Sequence, residues 1–331
     1  MIEVKNLVKK YGNHTAVDNL SFSIEKGQIY GFLGPNGAGK STTMNIMTGY
    51  LGATEGQVII NGHDILKEPE EAKKCIGYLP ELPPLYTDMT VMEYLNFAAE
   101  LKGMKKMQKE EGVEEVVKLA KLQDVQFRLI RNLSKGYRQR VGLAQAMLGF
   151  PEIIILDEPT VGLDPKQIIE IRELIRKLAK EHTVILSSHI LAEVSEVCDT
   201  VMIISKGKLT ACDTPANLEH LMAGSEAVEI TAKAARGDVR EILKSIKGIR
   251  EITTKQNEDG TTSAKIEVEE QADIREQVFF AFAEHKKALL ELHHTRVSLE
   301  DVFLELTQGD TPGDSNEGQT GKEEKSDESN L

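Results

Sequence analysis

Over the first 33 positions short apolar runs alternate with turn residues. The segments "IEVKNLVKKY" and "LSFSIEKGQIYGFL" predict strands of a mixed sheet that lead into a glycine-rich loop, with helix following at once. From about Tyr86 to Leu122 the period changes: apolar residues in "TVMEYLNFAAELKGM" recur at helical spacing among many Lys and Glu. This predicts a helical insertion between two sheet segments. The uniformly apolar "EIIILDE", then "HTVILSSH" and "TVMIISKGKL", predict buried strands with helical segments between the first two. Such a layout is doubly wound α/β.

After about Gly224 a second pattern begins. "AVEITA", "DVREILKSI", "IREITTKQ", "SAKIEVE", "IREQVFFAFAEH" and "LLELHHT" read as βαββαβ, with "NEDGT" as a hairpin turn. Beyond Gln308 the acidic, Ser- and Gly-rich "GDTPGDSNEGQTGKEEKSDESNL" has no apolar period and is expected to be disordered. The predicted organisation is an α/β unit over 1–222 with a helical part at about 86–150, a small α+β domain over 225–308, and a tail over 309–331.

Composition adds limits. The 331 residues are 40% hydrophobic, enough for a packed core and a smaller companion domain. A net charge of -13 and a pI near 5.2 argue against broad attraction to nucleic acid or anionic lipid, so an anionic ligand must be held by local geometry. Cys75, Cys198 and Cys212 are widely separated and lack metal-ligand spacing, which reads as reduced thiols of a cytosolic protein. No run approaches the ~20 apolar residues that cross a bilayer, and "MIEVKNLVKKYG" begins with strand-like alternation rather than a secretion signal. Any service to a membrane would pass through a partner.

The strongest chemical signal is "GPNGAGKST", Gly34 to Thr42. It lies between an apolar strand and a helical "STTMNIMTG". Gly34, Gly37 and Gly39 let the backbone approach phosphate oxygens, while free N–H groups and the helix dipole, about half a positive charge, face the anion. Asn36 and Thr42 belong to the same loop. Lys40 is placed for the β- and γ-phosphates and Ser41 for Mg²⁺. The loop alone leaves kinase and hydrolase open.

The choice between them depends on "IIILDEPT", where a buried strand ends by presenting Asp157, suited to Mg²⁺, and Glu158, suited to orient or deprotonate water. Two acids behind four apolar residues favour chemistry over a mere helix cap. In "VILSSHI", His189 follows another strand end, where a neutral imidazole reaches the γ-phosphate or the attacking water. His293 and His294, adjacent on a strand, point to opposite faces and cannot share one ion. No metal site made by protein groups alone is assigned.

A second anion-directed turn, "LSKGYRQR" at 133–140, opens a helix but has no local ligand, a feature most useful across a symmetric interface. Ser134 also reads as an ordinary N-cap. Phosphate loop, "LSKGYRQR", "ILDEPTVGLDP" and "SSH", in that order over roughly residues 1–222, resemble the nucleotide-binding subunit of ATP-binding cassette (ABC) transporters. The resemblance implies a P-loop NTPase cassette, with a RecA-like core, a β-subdomain and a helical insertion, that binds ATP with Mg²⁺. It also implies two cassettes paired head to tail, identical or paralogous, so that Ser134 and Gly136 cap the γ-phosphate held by the partner. Asp164 of "GLDP" resembles the loop linking the two ATP sites, while Gly162 and Pro165 read as loop-shaping. Tyr11 resembles the aromatic that stacks on adenine, and otherwise packs in its sheet.

Two segments depart from the family pattern. Lys135 and Tyr137 stand where many relatives carry Gly and Gln, and Glu81 in "GYLPE" stands where a Gln usually touches Mg²⁺ and water; a carboxylate there still suits Mg²⁺. "VSLEDVFLELT", 297–307, is similar to the C-terminal end of ABC-2-type exporter ATPases. It also reads as a generic amphipathic helix that docks Val302, Phe303 and Leu306 onto the small domain. The resemblance implies an ATPase that drives a separate integral membrane permease, held through it at the cytoplasmic face of the membrane, with "PELPPLYTDMTVMEY" as the coupling surface. A soluble ABC-type ATPase acting on ribosomes or nucleic acid is the alternative. With one cassette, no coiled-coil heptads, no zinc-type Cys pairs and no basic arm, it is disfavoured, and no nucleic-acid partner is assigned.

Overall fold

Two long antiparallel strands, β1 (Ile2–Tyr11) and β2 (His14–Ile24), open the chain in the computed structural model, which describes residues 1–221, 227–268, 273–295 and 303. The buried strand β3 (Ile29–Leu33) follows and turns into helix α1 (Lys40–Met47). Next come β4 (Glu55–Ile60), β5 (His63–Asp64), α2 (Pro69–Lys74) and β6 (Ile76–Leu79). Three helices succeed them: α3 (Val91–Leu101), α4 (Lys106–Leu119) and α5 (Lys135–Met147). The chain then alternates through β7 (Ile153–Leu156), α6 (Pro165–Leu178), β8 (Thr183–Ser188), α7 (Leu191–Val197), β9 (Thr200–Ser205), β10 (Lys208–Asp213) and α8 (Pro215–Leu221).

Three sheets result. β2-β1-β4-β5 is antiparallel, and β10-β9-β3-β8-β7-β6 is parallel apart from its edge strand β10. The first 33 residues therefore serve two sheets rather than one mixed sheet. β1 buries only Ile2, Val4 and Leu7 and leaves its other residues accessible, as a one-sided strand does, whereas all five residues of β3 are buried. The parallel sheet has a core on each face. Tyr30, Phe32, Ile153, Ile155 and Ile185 pack towards the antiparallel sheet, where Phe22 meets Phe32 edge-on at 5.3 Å. Leu33, Ile154, Leu156, Val184 and Leu186 pack on the opposite side with the buried residues of α3, α4 and α5.

Helix ends are set locally. Thr90 starts α3 with a capping box, its hydroxyl accepting from Glu93 N while the Glu93 carboxylate accepts from Thr90 N. β6 and α5 touch through their backbones: a Cβ at Gly77 would lie 2.1 Å from the Ala146 carbonyl oxygen. Gly77→Ala is therefore expected to cost about 1–3 kcal/mol of stability. Calorimetry should register this as a Tm drop of about 2–4 °C per kcal/mol.

The remaining elements are β11 (Ala227–Lys233), α9 (Arg236–Lys244), β12 (Ile249–Gln256), β13 (Thr262–Val268), α10 (Arg275–Glu284) and β14 (Ala288–Thr295). They form the antiparallel sheet β12-β13-β11-β14 with its own core, in which Val239, Ile242 and Leu243 of α9 and Val278 and Phe282 of α10 cover Val228, Ile230 and Ile266. Phe303 packs against the core that includes α3 to α5, not against this smaller core as an amphipathic docking helix would have it. The rest of 297–307, and the tail after Gln308, lie outside the described residues. Among those described, no helix is long and apolar enough to cross a membrane.

Candidate active site

The order β9-β3-β8-β7 brings the carboxyl ends of three strands side by side, where a doubly wound sheet binds its ligands. The loop 34–39 leaves β3, Asp157 and Glu158 leave β7, and His189 leaves β8. Gly37 and Gly39 hold φ of +82° and +104°, conformations that side chains resist. Gly39 is also the N-cap of α1 and offers no side chain to cap it, so the first amides of the helix are open to an anion. Gly34 is needed for another reason: its Cβ would meet the Ile204 carbonyl oxygen at 2.4 Å.

Lys40 is only 6% exposed. Its ammonium donates to the carbonyl oxygens of Gly34 (2.6 Å) and Pro35 (3.3 Å) and lies 3.9 Å from Glu158 Oε1. Burial pushes its pKa down, and the negative charges of Glu158, Asp157 and Glu81 act against that shift. A phosphate would meet a cation that is already partly desolvated and pointed along the loop.

Asp157 Oδ1 accepts from Ser41 Oγ at 3.2 Å and from Ser187 Oγ at 2.5 Å. The Ser187 hydroxyl in turn accepts from Glu158 N at 2.9 Å. Glu158 has φ +48°, a left-handed conformation that costs a non-glycine residue about 1–2 kcal/mol and persists only where neighbours enforce it. Its Oε2 lies 2.9 Å from His189 Nδ1. With the Nδ1 proton donated to the carboxylate, Nε2 is the ring's acceptor.

A cavity of about 380 Å³ is lined by Asn36 to Thr42 together with Tyr11, Glu81, Glu158 and His189. Tyr11 is half exposed, and Lys9 Nζ sits over its ring at 5.2 Å from the centroid. Gly34 and Asp157 are not in this lining; Asp157 instead borders an adjoining groove, which it shares with Ser41, Glu81, Tyr78 and Tyr50. Ser134, Gly136 and Asp164 are also absent from the lining. Ser134 caps α5, accepting from Tyr137 N at 3.4 Å, and Asp164 caps α6, accepting from Gln167 N at 2.9 Å.

These two helix starts meet. A Cβ on Gly136 would fall 2.4 Å from Gln167 Oε1, and one on Gly162 2.2 Å from Lys135 Nζ. Deeper along the pair, Arg140 stacks its guanidinium over Tyr137 and donates to Glu170.

Sequence reasoning missed several participants. His14, brought to the cavity by β2, has no motif around it. Ser187 opens "SSH", two residues before His189, and its place in that motif was the available signal. Thr160 and Glu193 form a buried pair, Thr160 Oγ1 donating to Glu193 Oε2 at 2.5 Å across 33 residues of sequence, so no local pattern announces them.

The family model described as ABC transporter matches residues 17–161. Over 315 residues the chain is 35% identical to the bacitracin transport ATP-binding protein BcrA of Bacillus licheniformis, covering 95% of this chain and 99% of that one. It is 32% identical over 311 residues to the linearmycin resistance ATP-binding protein LnrL of Bacillus subtilis (strain 168), covering 93% and 98%. Among solved structures it resembles a dimeric post-hydrolysis state of the ATP-binding cassette MJ0796 bound to ADP and Pi, with a TM-score of 0.59 and 27% identity, over 65% of this chain and 98% of that one.

Proposed function

Because this chain belongs to the ABC transporter family as an ATP-binding subunit that hydrolyses ATP, we propose that it does so through Lys40, Glu158 and His189. Two copies, or this chain and a paralogue, close around the nucleotide. The observation that carries the reading is the convergence, in one cavity, of a buried cation, open helix amides and a carboxylate bonded to an imidazole. Lys40 and the amides of loop 34–42 bind the β- and γ-phosphates. Glu158 takes a proton from the attacking water, a bond forms between that oxygen and the γ-phosphorus, and the bond to the β,γ-bridging oxygen breaks, leaving ADP and phosphate. Nε2 of His189 is the free acceptor beside this reaction and orients the water.

Ser41 Oγ and Asp157 Oδ1, 3.2 Å apart, with Glu81 near them, form an all-oxygen donor set that fits Mg²⁺. Bound there, the ion would neutralise phosphate charge. Tyr11 stacks on the adenine. Ser134 and Gly136 serve the nucleotide of the partner copy, and Asp164 lies at the junction of the two sites.

The membrane partner is a separate permease, and transport is outward, in the manner of ABC-2-type exporters. The names of the relatives, bacitracin transport and linearmycin resistance, support this over action on ribosomes or nucleic acid. The subunit works at the cytoplasmic face of the membrane, held there by the permease. The docking site is the groove beside the nucleotide cavity, where Tyr50 and Leu82 are 83% and 78% exposed and Glu81 lies at the junction of the two. The segment "PELPPLYTDMTVMEY" supplies part of it.

A mixing experiment tests the shared site. Lys40→Ala and Ser134→Ala chains, each nearly inactive alone, should regain hydrolysis when combined, because a mixed dimer has one intact site. About a quarter of the parent rate is expected from an equimolar mixture. Activity equal to the mean of the two separate variants would mean that Ser134 does not serve the opposite copy.

A further inference from the structure

Glu193, on α7, is a carboxylate only 6% exposed, to which the hydrolytic scheme gives no task. One oxygen, Oε2, accepts both from Thr160 Oγ1 at 2.5 Å and from Ser188 Oγ at 3.2 Å. Both donors are buried, at 5% and 1%. Their positions in sequence give the arrangement its meaning. Thr160 stands two residues after Glu158, and Ser188 immediately before His189. The contacts therefore close a ring: Glu158, Thr160, Glu193, Ser188, His189, and back to Glu158 through the 2.9 Å contact of Oε2 with Nδ1.

We infer that Glu193 is a positioning residue that fixes the separation of the turn carrying Glu158 from the strand end carrying His189, and so sets the reach of the general base to the attacking water. This rests on the roles given above to Glu158 and His189. Two features require such a clamp. Glu158 keeps a left-handed backbone that relaxes once its neighbours release it, and Ser187 holds only its amide nitrogen. Ser188, whose hydroxyl also accepts from Ile190 N at 3.0 Å, is the start of the turn into α7, so Glu193 ties that turn to the other loop. A carboxylate oxygen is suited to the task, since its two lone pairs take two hydroxyl protons at once. Displacing a reacting group by about 1 Å costs up to about 10²-fold in rate.

The test uses the full chain and reads kcat, KM for ATP and nucleotide affinity separately. Glu193→Ala should lower kcat about 10- to 100-fold with KM and ATP affinity within about two-fold of the parent. Glu193→Gln, whose amide oxygen still accepts both hydroxyls, should recover most of the loss. The decisive arm repeats Glu193→Ala in a Glu158→Gln background. If Glu193 acts through the base, the second change should alter the residual rate by less than about two-fold, because what it positions is already gone.

An equal fractional loss in both backgrounds, an unchanged kcat in Glu193→Ala, or a parallel fall in nucleotide affinity would overturn the inference. Should Glu193→Ala fail to fold, Thr160→Val removes one donor at constant shape and must show the same split; parental kcat there would overturn it equally. If Glu158→Gln itself turns over at the parent rate, the assignment of the base fails rather than the role of Glu193.

Discussion

Glu158→Gln should reduce ATP turnover by about 10²- to 10⁴-fold, the range spanned by general base catalysis, while ATP binding persists. The amide has the shape of the carboxylate. Its oxygen still accepts from His189 Nδ1, and the Ser187 hydroxyl still holds the amide nitrogen of residue 158 in its left-handed conformation. What disappears is proton affinity and one negative charge at 3.9 Å from Lys40. Without that charge the ammonium is freer to pair with phosphate, so the ATP-bound form should accumulate. Size-exclusion chromatography with ATP should show a stable dimer that hydrolysis disassembles in the parent. A variant with parental turnover would remove Glu158 from the role of base.

Lys40→Ala acts one step earlier. The buried ammonium is held by two loop carbonyls and is directed at the anion site, so its loss removes charge-assisted bonds to phosphate worth about 1.5–3 kcal/mol, or about 10- to 150-fold in affinity. The loop itself should survive, because the positive φ angles of Gly37 and Gly39 shape it independently of Lys40. Titration calorimetry with ATP and with ADP measures the effect. Both should weaken, since the proposed role of Lys40 includes the β- as well as the γ-phosphate. Unchanged affinity would show that phosphate is bound elsewhere.

The two variants also differ in what made their residues visible before any coordinates. Lys40 and its glycines are readable from sequence because a phosphate loop is a local object, whose backbone angles demand particular residues at fixed spacing. Asp157, Glu158 and His189 were readable because they follow the ends of segments rich in apolar β-formers, and such segments become strands covered on both faces. Pairing between strands is not local. Burial alone could not tell that β1 and β2 leave the sheet that β3 joins. The same limit hid Ser187, Thr160 and Glu193, whose significance lies in contacts across about thirty residues. Hydroxyls and a helical Glu are common enough that only their convergence distinguishes them. Ser134, Gly136 and Asp164 are a third case. Their motifs stand out in sequence, yet within one chain Ser134 and Asp164 cap helices, Gly136 packs against Gln167, and none of the three lines the cavity that Lys40 lines.

The pair formed by Arg140 and Glu170 has a mechanical consequence. It bolts α5 to α6 one to two turns in from their starts, with side chains that are only 10% and 28% accessible, where an ion pair resists being pulled apart. Torque delivered to the helical region by a permease would not swing Ser134 alone. Asp164 must travel with it, as two teeth of one gear, and a load arriving at either helix would move both helix starts as a single stroke.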